Sequence, residues 1–187
     1  MLLLGNKVLV VIDVQTEVVE HGYKRDETID NINRLIHCAR EQQIPIIYIQ
    51  HEEQEGPMIK GQPGWQFHAR LEKPLHQEVT IHKTVPNSFT NTSLRQTLDK
   101  LDATHLYICG AQTEFCVDST CRGAFDLGYN VTLITDAHTT NDADHLSASS
   151  IIEHVHGTLK YFWSPNGTIT LKKSSDLDWM KNEVNLK

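Results

Sequence analysis

The sequence predicts an α/β fold of three layers, helix, sheet and helix, with a doubly wound and mostly parallel sheet. Runs such as Lys7–Asp13 and Leu106–Cys109 are apolar without alternation, which is typical of strands covered on both faces. They alternate along the chain with helix-like segments, and this alternation favours right-handed crossovers between parallel strands. A chain of 187 residues can bury one full core. We therefore expect residues 1–187 to form a single domain.

The first half of the chain predicts three strands and one amphipathic helix. Lys7–Asp13 is the first strand, and Thr28–Gln42 follows with apolar residues at helical spacing. Pro45–Gln50 is the second strand and Val79–Lys83 the third. Between them, residues 51–76 hold three glycines and three prolines. Such a long connection indicates either a binding loop or an ordinary surface excursion.

The second half continues the alternation. Its predicted elements, in order, are a helix at Ser93–Leu101, a strand at Leu106–Cys109, a helix from the N-cap Thr113 to the C-cap Gly128, a strand at Asn130–Thr135 and a helix at Asp142–Val155. The tail beyond Gly157 is less regular. Phe162–Pro165 and Thr168–Leu171 favour an edge strand or a hairpin, and the last dozen residues are polar enough that we expect them to fray.

Composition limits the classes of partner. The formal charge is −7 and no cluster of Lys and Arg appears, which argues against nucleic acid and favours a small-molecule ligand. No run approaches the roughly 18 apolar residues of a membrane span, and the first residues lack the pattern of a signal peptide. The four cysteines have no CxxC spacing, so we expect a cytoplasmic protein with free thiols.

In folds of this class, ligands bind beyond the carboxyl ends of the strands. Several polar or reactive residues end the predicted strands or follow them directly. They are Asp13 and Gln15, Gln50 and His51, Lys83, the turn at residues 110–116, and Asp136 with His138. We expect them to share one edge of the sheet.

Cys116 lies where the first turn of a helix is predicted. Helix N-termini carry partial positive charge and free N–H groups, which favour a thiolate and would lower the pKa of this thiol. The position is thus suitable for a nucleophile. The alternative is that Cys116 merely fills space, since free cysteines are often buried.

A cysteine nucleophile needs a group that accepts its proton and donors that hold the oxyanion. Asp13 is the candidate base, and Lys83 would supply a cation that compensates its charge. The backbone N–H groups of Cys116 and Gln112 are the candidate oxyanion donors. Taken singly, a strand-end Asp is more often a cap and a Lys more often solvated, so the prediction depends on their coincidence at one edge.

Three segments resemble the isochorismatase-like cysteine hydrolase family, which includes nicotinamidases and N-carbamoylsarcosine amidases. They are VVIDVQ at residues 10–15, HKTVPNSFTNTSL at 82–94, and GAQTEFCVDSTCRGAFDLGYNVTLITDAHTT at 110–140. The resemblance implies a catalytic triad of Asp13, Lys83 and Cys116, and six parallel strands in the order 3-2-1-4-5-6. It also implies a cis peptide between Ala111 and Gln112, and a homodimer or homotetramer.

Nicotinamidases of this family bind a metal through an Asp-x-His pair after the second strand, with further histidines. The matching residues here are Ile49, Gln50 and His51, so the carboxylate is missing. His51 and His68 alone make a poor site for zinc or iron. We therefore predict no metal and no other cofactor.

The substrate pocket is predicted only in outline. Candidate substrate-binding residues are the aromatic Trp65, Phe67 and Phe89, which could form an apolar wall, and the polar Gln15, His51, Glu114 and His138. The aromatic residues could equally belong to the core or to a dimer contact, and His138 could support the site from behind.

Together these features predict a hydrolase that cleaves a C–N bond of a small amide or N-carbamoyl compound through a Cys116 thioester. One alternative is an isochorismatase-type vinyl ether hydrolase that uses Asp13 and Lys83 in acid-base chemistry and no nucleophile. Another is a redox-responsive or ligand-binding protein without turnover. Neither the substrate nor the oligomeric state follows from composition.

Overall fold

The structure is a computed structural model, and it describes residues 6–180. The strands are β1 (Asn6–Ile12), β2 (Ile46–His51), β3 (Val79–Lys83), β4 (Ala103–Ala111), β5 (Asn130–Thr139), β6 (Trp163–Ser164) and β7 (Gly167–Lys172). The α-helices are α1 (Thr16–Val19), α2 (Arg25–Glu41), α3 (Leu94–Lys100), α4 (Asp118–Asp126) and α5 (Ala148–Leu159). A π-helical turn at Thr113–Val117 and 3-10 turns at Pro63–Trp65 and Ser174–Asp176 complete the described elements.

All seven strands form one sheet in the order β3-β2-β1-β4-β5-β7-β6. Each neighbouring pair from β3 to β7 is parallel, and only the short β6 pairs antiparallel with β7. The α/β class and the first five positions of the predicted order are confirmed. β7 takes the sixth position, and β6 adds a hairpin strand outside it.

Alternate side chains of β1 serve two separate cores, which explains why the strand is apolar throughout. Leu9 and Val11 face the core under α2, while Val8 and Val10 face the core under α3, α4 and α5. All four are fully buried. Burial of each such side chain contributes about 1.5–3 kcal/mol, so β1 anchors both helical layers.

Several element boundaries differ from the prediction. α2 begins at Arg25, three residues before the predicted start, with Asp26 and Glu27 in its first turn. β5 continues to Thr139 because its pairing with β4 resumes after an irregularity that joins Gly110 to His138. As a result, His138 lies inside a strand and not after it.

The predicted helix at Asp142–Val155 begins later, at Ala148. Its N-cap is Ser147, whose hydroxyl accepts a hydrogen bond from the Ser150 N–H. Asp142 lies before the helix and accepts from the Ala148 N–H at 2.7 Å. The sequence therefore has two capping residues near this helix start, the Asp142 carboxylate and the Ser147 hydroxyl.

The prediction that the last dozen residues fray is wrong for residues 176–180, the part of this segment that the structure describes. Leu177 and Trp179 are buried, and Trp179 meets Tyr107 edge to face at 5.4 Å between ring centroids. Residues 181–187 lie outside the described residues. The aromatic and aliphatic side chains thus outweigh the polar composition of the segment.

Gly110 makes the close approach of β4 to β1 feasible. Its φ is +123°, and a Cβ at this position would lie 2.0 Å from the Ile12 carbonyl oxygen. No side chain fits there, so the turn that leads from β4 to Cys116 requires glycine. Within residues 6–180, none of the helices combines the length and hydrophobicity needed to cross a membrane.

Candidate active site

Three segments that are distant in sequence place Asp13, Lys83 and Cys116 together at the carboxyl edge of the sheet. Asp13 directly follows β1, Lys83 ends β3, and Cys116 lies in the π-helical turn between β4 and α4. The Lys83 Nζ is 2.6 Å from Asp13 Oδ2 and 3.1 Å from Cys116 Sγ. The geometry therefore holds an acid, an ammonium and a thiol within proton-transfer distance.

The Asp13–Lys83 ion pair is fully buried, with 0% exposure of both side chains. Neither Asp13 oxygen has a well-aligned hydrogen bond within residues 6–180. The ammonium thus compensates the carboxylate charge, while the lone pairs of Asp13 stay available to a proton donor. A buried carboxylate with such lone pairs can act as a base toward a neighbouring thiol.

The expected lowering of the Cys116 pKa is wrong. Burial, together with the negative charge of Asp13, raises the pKa of the thiol to about 12, although Lys83 opposes the rise. The helix start is too weak to overcome desolvation at this half-buried position. In the resting site the stable pair of charges is Asp13 with Lys83, and Cys116 is a thiol.

The turn that carries Cys116 also differs from the prediction at its start. Gln112 is the N-cap, and Thr113 is the first residue of the π-helical turn. The Thr113 hydroxyl pairs with His138 Nδ1 at 2.8 Å and so does not cap the helix. The peptide bond between Ala111 and Gln112 is cis, as the family resemblance implied.

His51 lies at the same edge and contacts Lys83. Its Nδ1 is 3.2 Å from the Lys83 Nζ, and its Nε2 is 3.9 Å from a Glu53 carboxylate oxygen. Burial lowers the pKa of His51, and the neighbouring Lys83 lowers it further. The ring is therefore neutral at neutral pH, and Nδ1 can accept a hydrogen bond from the ammonium.

Asp13, His51 and Cys116 each offer a ligand atom, and these atoms lie within 4.8 Å of one another. Lys83 Nζ is within 3.2 Å of all three residues, so a cation already occupies the middle of the group. Ile49, at the position of the missing carboxylate, is a fully buried apolar side chain. This arrangement does not fit a metal ion, because its ligand atoms are engaged by the ammonium.

The side chain of Gln15, which is predicted to contact the substrate, is hydrogen-bonded within the protein. Nε2 donates to the backbone oxygens of His51 at 2.8 Å and Trp65 at 2.9 Å, while Oε1 accepts from the His51 N–H at 2.8 Å. Gln50 also donates to the Trp65 oxygen at 2.9 Å. Gln15 thus attaches the long connection to the end of β2.

Of the three aromatic candidates, Phe67 and Phe89 do not line the site. Phe67 packs edge to face on Tyr48 in the core under α2, which is the opposite face of the sheet from Cys116. Phe89 stacks on Tyr129, which precedes β5 at the amino edge. Both rings are half-buried and pack against the cores.

Trp65 remains near the site. Its backbone is bound to Gln15 and Gln50, and its ring stacks on His82, the residue before Lys83, at 5.7 Å between centroids. Glu114 is half-buried and lies two residues before Cys116, and its Oε2 is buried without a hydrogen-bond partner among the described residues. These two side chains stay candidates for substrate contact.

His138 supports the turn that carries Cys116 from behind. It is 3% exposed, and its Nε2 lies 2.8 Å from His156 Nε2 on α5, while Nδ1 meets Thr113. Burial lowers the pKa of His138 to about 3, with a further contribution from His156. The pairing of His138 with His156 and Thr113 has no signal in the sequence, since it depends on the packing of α5 against the turn.

Comparisons with known proteins agree with this geometry. The model of the isochorismatase domain family matches residues 7–156. A streptothricin hydrolase from Streptomyces noursei is 34% identical over 138 residues, which are 72% of this chain and 50% of that protein. The chain thus spans half the length of that relative.

Two further matches cover a larger share of the matched protein. A ureidoacrylate amidohydrolase from Variovorax paradoxus is 27% identical over 172 residues, 71% of this chain and 68% of that protein. The crystal structure of an isochorismatase from Pseudomonas putida KT2440 is 31% identical, with a TM-score of 0.82 over 92% of this chain and 90% of that one.

Proposed function

The chain belongs to the isochorismatase family of hydrolases, and from its site we propose that it is a cysteine hydrolase of small amides or N-carbamoyl compounds. In this proposal Cys116 is the nucleophile, Asp13 the base and then the acid, and Lys83 their shared cation. The observation that carries it is the position of the Lys83 Nζ, which is 2.6 Å from Asp13 and 3.1 Å from Cys116.

In the first half of the reaction, Asp13 takes the proton from Cys116 while Sγ forms a bond to the substrate carbonyl carbon. The transfer has to accompany attack, because burial and Asp13 keep the pKa of the resting thiol high. The carbonyl oxygen becomes an oxyanion, for which the backbone N–H groups of Gln112 and Cys116 are the proposed donors. Collapse of this intermediate breaks the C–N bond, and Asp13 returns the proton to the leaving nitrogen.

In the second half, water attacks the Cys116 thioester and gives a proton to Asp13. The C–S bond then breaks, the acid leaves, and the proton returns from Asp13 to the sulfur. Lys83 keeps its charge in every step. Its role is to balance whichever of Asp13 and Cys116 is anionic, which avoids an isolated buried anion.

The choice of a C–N bond is supported by chemistry and by one relative. A thiol serves acyl transfer well and is not needed in vinyl ether hydrolysis, where acid-base groups suffice. The Variovorax relative is named an amidohydrolase. We therefore propose amides and N-carbamoyl compounds as the first substrates to test.

The test is a panel of primary amides and N-carbamoyl compounds, assayed for released ammonia with wild-type protein and with Cys116→Ala. The matched control is Cys121→Ala, which removes a fully buried sulfur of α4 outside the site. We expect Cys116→Ala to lose turnover and Cys121→Ala to keep it. Turnover by Cys116→Ala at the wild-type rate would contradict the proposal and favour acid-base chemistry by Asp13 and Lys83.

A further inference from the structure

The Lys83 ammonium has three protons and three electron-rich neighbours. Two are the Asp13 carboxylate and the Cys116 sulfur, to which the proposed mechanism assigns roles. The third is His51 Nδ1 at 3.2 Å, which the mechanism does not use. Because Lys83 is only 2% exposed, water cannot readily take the place of this third neighbour.

The His51 backbone is held on both sides by one side chain. The Gln15 amide accepts from the His51 N–H and donates to the His51 carbonyl oxygen, both at 2.8 Å. Gln15 lies two residues after Asp13, so the segment that carries the carboxylate also fixes the residue that contacts Lys83. This arrangement sets the imidazole at a defined position beside the ammonium.

The contact also determines where the imidazole carries its proton. An ammonium can only donate, so Nδ1 has to be the acceptor and the ring hydrogen resides on Nε2. Nε2 faces Glu53, with 3.9 Å to the nearer carboxylate oxygen. Glu53 thereby favours the same tautomer from the outer side.

We propose that His51 is a positioning residue for Lys83, accepting a hydrogen bond from the ammonium and so keeping Nζ beside both Asp13 and Cys116. This inference depends on the proposed roles of Lys83 and Cys116. Without the His51 imidazole, the ammonium has a buried donor without a hydrogen-bond partner. It then turns away from the sulfur or admits water. Either change weakens the stabilisation of the Cys116 thiolate.

The decisive comparison is between His51→Asn and His51→Leu. The two side chains have nearly the same shape, but Asn places an oxygen close to where His51 has Nδ1 and Leu places a methyl group there. An acceptor role therefore predicts that Asn restores function and that Leu does not. A merely space-filling role predicts the same result for both.

The readout is the second-order rate of Cys116 alkylation by iodoacetamide from pH 6 to 9, followed by peptide mass spectrometry, with circular dichroism as the check on folding. It requires no substrate. We expect His51→Leu to slow alkylation about tenfold or more and to move the profile to higher pH, while His51→Asn stays within about threefold of wild type. If His51→Leu does not fold, His51→Gln takes its place, since its amide lies one bond further out.

Lys83→Met separates this inference from the proposed function. If Lys83→Met slows alkylation and folded His51→Leu matches wild type, the role of His51 is refuted while that of Lys83 stands. If Lys83→Met leaves the rate unchanged, the proposed function loses its electrostatic partner. Equal slowing in His51→Asn and His51→Leu would also overturn the inference, because the acceptor would then be irrelevant.

Discussion

The buried pair of Asp13 and Lys83 should be strongly coupled in the stability of the fold. Lys83→Met keeps most of the volume of the side chain but leaves the carboxylate buried without a cation. Removal of one member of a buried ion pair costs about 3–5 kcal/mol. Since native domains are stable by only about 5–15 kcal/mol, this single change removes a large share of the free energy of unfolding.

The magnitude follows from the geometry of the pair. At 2.6 Å the Coulomb attraction is about 6 kcal/mol for an effective dielectric constant near 20. Asp13→Asn is the complementary change and suits the backbone, because residue 13 has a φ of 48° and Asn tolerates that region. In the double variant Asp13→Asn/Lys83→Met no buried charge is left without a partner.

We therefore expect the double variant to be destabilised by at least about 2 kcal/mol less than the sum of the two single variants. Urea unfolding followed by circular dichroism at pH 7.5 measures all four proteins of the cycle. Additive effects within about 0.5 kcal/mol would refute the reasoning, since they would mean that the two charges do not depend on each other.

Two further predictions concern the turn and its support. Gly110→Ala should lower the free energy of unfolding by more than about 3 kcal/mol or prevent folding, since its Cβ would overlap the backbone of β1. The control Gly157→Ala lies in open space on α5 and should raise the free energy of unfolding by about 0.5–1 kcal/mol. Equal urea midpoints for the two variants would contradict this prediction. His138 has a pKa of about 3 in the fold against about 6.5 when unfolded, so below pH 6.5 the unfolded chain takes up a proton that the native state excludes and stability falls with pH down to about 3. Between pH 7 and pH 5 the loss of stability from His138 is about 2 kcal/mol, and His138→Gln should remove this contribution to the pH dependence. An unchanged pH dependence in the variant would show that His138 is not responsible.

The grouping of Asp13, Lys83 and Cys116 could be predicted because parallel strands bring their carboxyl ends to one edge. Asp13 ends an apolar run, Lys83 ends the short strand VTIHK, and Cys116 follows a second apolar run through a glycine turn. Their place at one edge therefore follows from the parallel strands, whereas their contact depends on the strand order. The strand order was accessible through the family resemblance, since local patterns do not specify which strands are neighbours.

The rest of the site depends on packing that local patterns do not determine. The pKa of Cys116 is set by burial and by Asp13, so the helix position alone gave the wrong direction. Phe67 and Phe89 pack against two different cores, which their places in the sequence do not reveal. The amide of Gln15 lies at the carboxyl edge of the sheet as predicted, but it donates hydrogen bonds to the backbone oxygens of His51 and Trp65.

The most direct test of the account is intact-protein mass spectrometry of wild-type enzyme, quenched in acid during turnover of an amide that the panel shows to be hydrolysed. A Cys116 nucleophile predicts a mass increase equal to the acyl group of that substrate, mapped by peptide analysis to Cys116 and lost on treatment with hydroxylamine. Turnover at an unchanged rate by Cys116→Ala, or an adduct on any other residue, would contradict the account.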